Sequence, residues 1–187
     1  MPRRIVLPLI GFLVSLTLLS VGCSFLKTSL VIDAQIIYNM GGPQPVARQT
    51  FYLLDADPLS LTANDPKIKA KLDATKDDNE KLNLTMSGAL LAALKTAVED
   101  KGMAEKSGKT LLGAVELSKS YWEPHLVQSI QTDFKGHGVF ENLQPGTYWL
   151  MGMTETRAAF AFWDLKIAPT LGENRLMLDQ NNARYSK

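Results

Sequence analysis

The sequence predicts a mainly β domain: an antiparallel β-sandwich of about seven strands, interrupted by a helical insertion at roughly 58–122. Three observations predict it. Alternating or apolar runs bounded by turn residues fall at 30–38 and 46–55 and recur after Pro124, which is the spacing of a sandwich. The block between them is charged, helix-forming and patterned at helical spacing. The chain holds one cysteine, which cannot pair within the chain, so the domain must rest on its apolar core.

The elements follow in order. Leu30, Ile32, Ala34, Ile36 and Tyr38 alternate with Asp33 and Gln35, which predicts a strand with one buried face. The run Asn39-Met40-Gly41-Gly42-Pro43-Gln44-Pro45 predicts a long loop, and Val46–Asp55 a second strand that pairs back as a hairpin. Asp65-Pro66 reads as an N-cap and first helical residue, opening a helix over Lys67–Lys81. Ser87 reads as the cap of a stronger helix carrying Leu90, Leu91, Leu94, Ala97 and Val98 and ending at Gly102. Leu111 to Trp122 is a third helix or a turn-rich segment. Strands are expected at 126–132, 138–141, 147–155, 158–167 and 175–179, with Asp133–Gly136 and Asn142–Gly146 as turns. The domain spans 30–179, and Gln180–Lys187 is expected to be a loose polar tail.

The N-terminus has a different logic. Arg3 and Arg4 precede an almost wholly apolar run, Ile5 to Val21, and then Gly22-Cys23. Positive start, apolar stretch and small residue are the order of a secretory signal. The apolar run has 17 residues and is interrupted by Pro8 and Gly11, at the short limit for a membrane helix, so cleavage is favoured over a retained anchor helix. Leu19-Ser20-Val21-Gly22-Cys23 resembles a bacterial lipobox, although Ser20 stands where the usual Leu would be and Leu19 lies one place further out. The resemblance implies a signal peptide over 1–22, acylation of Cys23 and a lipidated tether over 23–29. Acyl chains contribute about 0.8 kcal/mol per buried methylene, so more than one chain holds a protein firmly on a bilayer. Ser24, where an Asp would retain a lipoprotein at the inner membrane, favours the outer membrane. The mature chain would be 165 residues with 18 basic and 19 acidic side chains, and so lacks the basic excess of a nucleic-acid partner.

The stretch Thr132 to Leu150 carries a second resemblance. Its Thr-Asp-x-x-Gly-x-x-x-Phe-x-x-Leu-x-Pro-Gly-x-Tyr pattern, built from Asp133, Gly136, Phe140, Leu143, Pro145, Gly146 and Tyr148, is similar to carboxypeptidase regulatory-like domains. That family implies a transthyretin-like (prealbumin-like) sandwich, also grouped with starch-binding-like folds. Physically, Asp133 and Gly136 shape a tight turn in which glycine takes positive φ, and Phe140, Leu143, Tyr148 and Leu150 are expected in the core. The resemblance covers 30–55 and 126–179 but not the insertion. It implies an accessory, adhesive, pilus or ligand-binding module.

Candidate chemistry is sparse. Ser107-Gly108-Lys109-Thr110 lacks the spacing of a phosphate loop. His125 and His137 stand 12 apart in no metal-ligand pattern and are expected as exposed turn residues. Asp77-Asp78-Asn79-Glu80 lacks the ligand order of a calcium loop. No serine lies in a nucleophile elbow. No catalytic residue, metal or cofactor is expected. Trp122, Trp149 and Trp163 are the candidate ligand-binding residues, because flat rings stack on the apolar faces of sugars. Trp149 faces opposite to Tyr148 and Leu150, hence outward or, as favoured, beneath the insertion. The expectation is therefore a non-enzymatic envelope lipoprotein. It would act as a binding or assembly module for a protein partner, with carbohydrate binding through exposed Trp as the alternative. The insertion would either pack on the sandwich or present a docking face.

Overall fold

The computed structural model describes residues 27–37, 42–99, 108–155 and 160–186. The expected signal peptide, Cys23 and the tether up to residue 26 lie outside them.

Nine strands among the described residues form two sheets. The first sheet contains β1 (Thr28–Ile37), β2 (Pro43–Pro45), β5 (His137–Leu143) and β8 (Glu173–Leu178). The second has the order β4 (Leu126–Gln131), β3 (Thr50–Leu54), β6 (Tyr148–Glu155), β7 (Phe160–Ile167), β9 (Tyr185–Ser186), antiparallel throughout. Only β2 and β9 are shorter than five residues, which leaves seven strands of sandwich length. One ladder, β1 with β8, is parallel. The cause is topological: β7 ends at the pole where β1 begins, and the link 168–172 crosses to the first sheet there.

Leu30, Ile32, Ala34, Ile36, Phe140, Leu143 and Leu178 from the first sheet meet Phe51, Leu53, Tyr148, Leu150 and Trp163 from the second in the sandwich core. Tyr148 also turns its hydroxyl back to donate to the Gln144 carbonyl at 2.6 Å, which closes the 144–147 link between the sheets.

The hairpin expected between the first two long strands does not form. β1 and β3 belong to opposite sheets, and the short β2 pairs with β1 instead. Pro43 and Pro45 offer no N–H, so this segment can only be a brief edge strand. The chain then crosses between the sheets through Arg48, whose φ is +56°.

The insertion forms a third layer. It comprises α1 (Pro66–Ala74), α2 (Asp78–Glu99), α3 (Gly108–Leu117) and α4 (Lys119–Trp122), between β3 and β4, which pair with each other. Ile68, Leu84, Leu91, Leu94, Val98, Val115, Tyr121 and Trp122 pack onto Tyr52, Leu54, Met151, Met153, Phe160 and Phe162 of the second sheet. That sheet is therefore buried on both faces, and its central strands read as continuous apolar runs instead of alternating. Six large side chains on one sheet face are worth on the order of 10 kcal/mol of burial, so the insertion is core and not an appendage.

Two helix boundaries differ from the sequence expectation. The helix expected over Lys67–Lys81 breaks after Ala74: the Thr75 hydroxyl donates to Lys71 O at 2.8 Å, and Asp77 Oδ1 accepts from Asn79 N at 2.8 Å at the next helix start. Only Ile68 of α1 is buried, too little to carry one helix through the corner. Ser87 is no cap; it lies mid-helix in α2, buried, its hydroxyl donating to Asn83 O and meeting Leu117 O and Ser120 Oγ. The tail expected to be loose is ordered through Ser186. Asp179 Oδ1 accepts from Asn181 N at 2.8 Å, and the Gln180 amide both donates to Ile37 O and accepts from Ile37 N, standing in for a strand neighbour.

Candidate functional site

The recognisable motif builds a turn and, with it, a cleft. Asp133 Oδ1 accepts from the backbone N–H groups of Lys135 (2.7 Å) and His137 (2.9 Å). These amides hold the exposed carboxyl below the usual carboxylate range. Gly136 takes φ +77° and its carbonyl accepts from Ala34 N at 2.9 Å, docking the turn on the end of β1. Phe134 is thrown outward, 69% exposed, with the Arg48 guanidinium 4.3 Å from its ring centroid. Asp33, Gln35, Pro43, Pro45, Phe134 and Met177 line a cleft of about 380 Å³ beside this turn. At its edge His137 Nδ1 lies 2.9 Å from Asp33 Oδ1. The cleft thus combines exposed apolar surface with charge of both signs, the latter from Asp33 and Lys135.

The opposite pole holds the neck of the insertion. His125 is buried, against the expectation of an exposed turn residue. Its Nδ1 lies 2.7 Å from Asp55 Oδ1 and its Nε2 2.9 Å from Asp65 Oδ1. Asp55 follows β3, Asp65 caps α1 and His125 precedes β4, so one ring ties together the points where the insertion leaves and rejoins the sheet. The His125 carbonyl adds a bond from Asp55 N at 3.0 Å. Lys67 also pairs with Asp55. Burial pushes Asp55 up, but hydrogen bonds from Lys67 and His125 outweigh it and leave the carboxyl below its ordinary value. Asp65 behaves alike, with burial offset by His125 and the N–H groups of Ile68 and Lys67. Both ring nitrogens of His125 are taken up by carboxylates flanking the start of the insertion, which marks the cluster as a clamp.

A third group went unread in the sequence. Asp164 of β7 points to the helical side of the second sheet with its side chain 1% exposed. Burial, then the charge of Asp57, pushes it up to about 6 against the pull of Arg184, whose Nη1 lies 3.1 Å away. Its Oδ1 has no partner among the described residues. An acid inside the run Phe160-Ala161-Phe162-Trp163-Asp164-Leu165 was the available signal. The Asp55–Asp65–His125 clamp had none, since its members lie up to 70 residues apart.

The three tryptophans do not form a platform. Trp163 is fully buried between the sheets, its Nε1 donating to Asp179 O at 3.0 Å. Trp122 is fully buried in the helical layer beside Tyr52, with ring centroids 4.9 Å apart. Neither ring has a face free for a sugar. Trp149 alone keeps some exposure, lying against the helical layer with Lys166 Nζ 5.4 Å from its ring centroid. Of the motif residues, Phe140 is fully buried, Leu143 and Tyr148 nearly so, while Pro145 and Gly146 stay exposed in the loop. No group of three metal-ligating side chains occurs among the described residues. No helix among them is long and apolar enough to cross a membrane.

No family model matches the sequence. No curated protein matches it either. Several solved structures are similar at a low level. The minor pilin GBS52 of Streptococcus agalactiae is 9% identical over 82% of this chain and 43% of that one, with a TM-score of 0.34. PA1324 of Pseudomonas aeruginosa, a candidate carbohydrate binding protein, is 13% identical over 82% of this chain and 88% of that one, at 0.38. A D295N mutant of the shaft pilin SpaA of Lactobacillus rhamnosus GG is 7% identical over 82% and 49%, at 0.37. The chain spans less than half the length of these two pilin chains. Likeness at this level says nothing about what the chain binds.

Proposed function

We propose that this chain is an envelope lipoprotein, anchored through acylated Cys23, that serves as a non-enzymatic binding or assembly module for a protein partner. The observation that carries the reading is the direction of β1. β1 begins at Thr28, inside the stretch 23–29 expected as tether, and runs to the cleft at its other end. Thr28 to Gln35 spans about 23 Å at ~3.3 Å per residue. A bilayer held at Cys23 would therefore lie beside the insertion neck and the 144–147 and 168–172 links. The cleft around Phe134 and Met177 would face away from it, open to a partner. Ser24 favours the outer membrane for the anchor.

The test has two parts. Cells expressing the wild type or Cys23→Ala are grown with radioactive palmitate and fractionated; label and membrane recovery are expected only for the wild type. Equal recovery of an unlabelled wild type in the soluble fraction would remove the anchor. A photo-crosslinking residue at Phe134 or Met177 is expected to give a discrete adduct that one at exposed Glu141 does not. Identical patterns from all three positions would remove the cleft. A carbohydrate reading now rests on Trp149 alone, and unchanged glycan-array binding in Trp149→Ala would end it.

A further inference from the structure

The helix α2 is apolar on two opposite sides. Leu84, Ser87, Leu91, Leu94 and Val98 face the protein core. Leu82, Met86, Ala89 and Ala93 recur at intervals of four, three and four on the other side, and all are exposed, Leu82 by 58% and Met86 by 55%. That periodicity makes a continuous stripe along a helix. The thirteen residues from Leu82 to Leu94 include no charge. A helix covering a sheet needs one apolar face, and its solvent face is ordinarily polar; this one leaves the second face unaccounted for.

We propose that this face pairs with the same face of a second copy, the two α2 helices antiparallel about a two-fold axis. The stripe is graded in size, with the bulky Leu82 and Met86 toward the N-terminus and the small Ala89 and Ala93 toward the C-terminus. Antiparallel pairing centred between Ser87 and Gly88 sets Leu82 over Ala93 and Met86 over Ala89 of the second copy, twice by symmetry. Bulk meets small residues, which lets the helix axes approach to about 8 Å. A two-fold contact requires a surface complementary to itself, and this gradient supplies it. Electrostatics agree. No charge is desolvated along the stripe, and antiparallel seating puts the positive end of each helix dipole at the negative end of the other. Parallel seating would lay Leu82 on Leu82 and leave a gap along the alanines. One helix face is smaller than the ~800 Å² per partner of a standard interface, so the dissociation constant is expected in the micromolar range. The proposal is independent of the lipid anchor.

The test uses the full chain in detergent, by sedimentation velocity from nanomolar to high micromolar protein. The wild type is expected to pass from monomer to dimer. Leu82→Lys and Ala93→Glu, both at exposed positions and checked by circular dichroism, are each expected to raise the dissociation constant by more than about tenfold, because each buries an unpaired charge. The double variant Leu82→Lys with Ala93→Glu is expected to restore the dimer, since the introduced ammonium of one copy then meets the introduced carboxylate of the other. A wild type that stays monomeric at every concentration overturns the proposal. So does a double variant that dissociates like the single ones. If instead Ala93→Glu abolishes binding to vesicles of phosphatidylethanolamine and phosphatidylglycerol by a monomeric wild type, the face takes lipid and the proposal is wrong.

Discussion

A β-carbon placed on Gly136 would stand 2.2 Å from the carbonyl oxygen of Ala34. That oxygen is backbone, already accepting from Val46 N at 2.8 Å, so it cannot swing aside. Gly136 also takes φ +77°. Gly136→Ala therefore meets two costs, left-handed strain of about 1 kcal/mol and a backbone clash, and should lose about 3 kcal/mol or more. Gly172 separates the two effects. Its φ is +96° but nothing lies within 4 Å of its added carbon, so Gly172→Ala should lose only about 1 kcal/mol. Urea unfolding of both variants checks this; equal losses would show that the Ala34 contact is soft.

Replacing His125 should loosen the neck of the insertion. His125→Ala leaves Asp55 and Asp65 facing one another, offset by the Lys67 ammonium at Asp55 and by the Lys67 and Ile68 N–H groups at Asp65. The expected loss is about 2 kcal/mol at neutral pH, less than for a fully buried pair because both carboxyls keep some solvent. Both acids have folded values below the ordinary 3.8. Their stabilisation is therefore present above 3.8 and is lost as pH falls through the lower folded values. The difference between wild type and variant should shrink below pH ~4. A difference that persists unchanged at that pH would locate the effect in packing instead.

Asp164 should give the opposite dependence. Its folded value is raised from 3.8 to about 6, so the folded state holds the proton more tightly than the unfolded chain. Stability is then greatest below 3.8 and falls as pH rises through about 6. That displacement corresponds to roughly 3 kcal/mol of stability lost by neutral pH. Asp164→Asn removes the ionisation while keeping an acceptor for Arg184. It should be more stable than the wild type above pH ~6 by about 1–2 kcal/mol and lose that advantage in acid. Thermal melts across the range decide it, and a variant less stable at every pH would mean the Arg184 ion pair outweighs the burial cost.

Much of the fold was legible because its signals are local. Alternation along β1 and in Arg175–Leu178 reported strands with one wet face, and Asp133 with Gly136 reported a turn that only a left-handed residue can make. Asp65-Pro66 announced a helix start that the structure contains. The failures have a common cause. Ser87 resembles a cap in isolation, but its hydroxyl is satisfied by the carbonyl four residues before it and by α3 and α4, which no local window contains. A tryptophan in a strand or helix resembles a stacking surface until both sheet faces are covered, and then Trp163 of β7 and Trp122 of α4 are core.

By itself the sequence determined the seven longer strands, the position of the insertion and most strand residues that point inward, because periodicity and turn chemistry act over a few residues. It also carries the expectation about Cys23. Tertiary structure alone decided that β1 and β3 separate into different sheets, that β8 runs parallel to β1, and that His125 is clasped by acids 60 and 70 residues away. Those outcomes depend on burying apolar faces from distant segments against each other at once. That is a property of the packed whole, and no single stretch of chain encodes it.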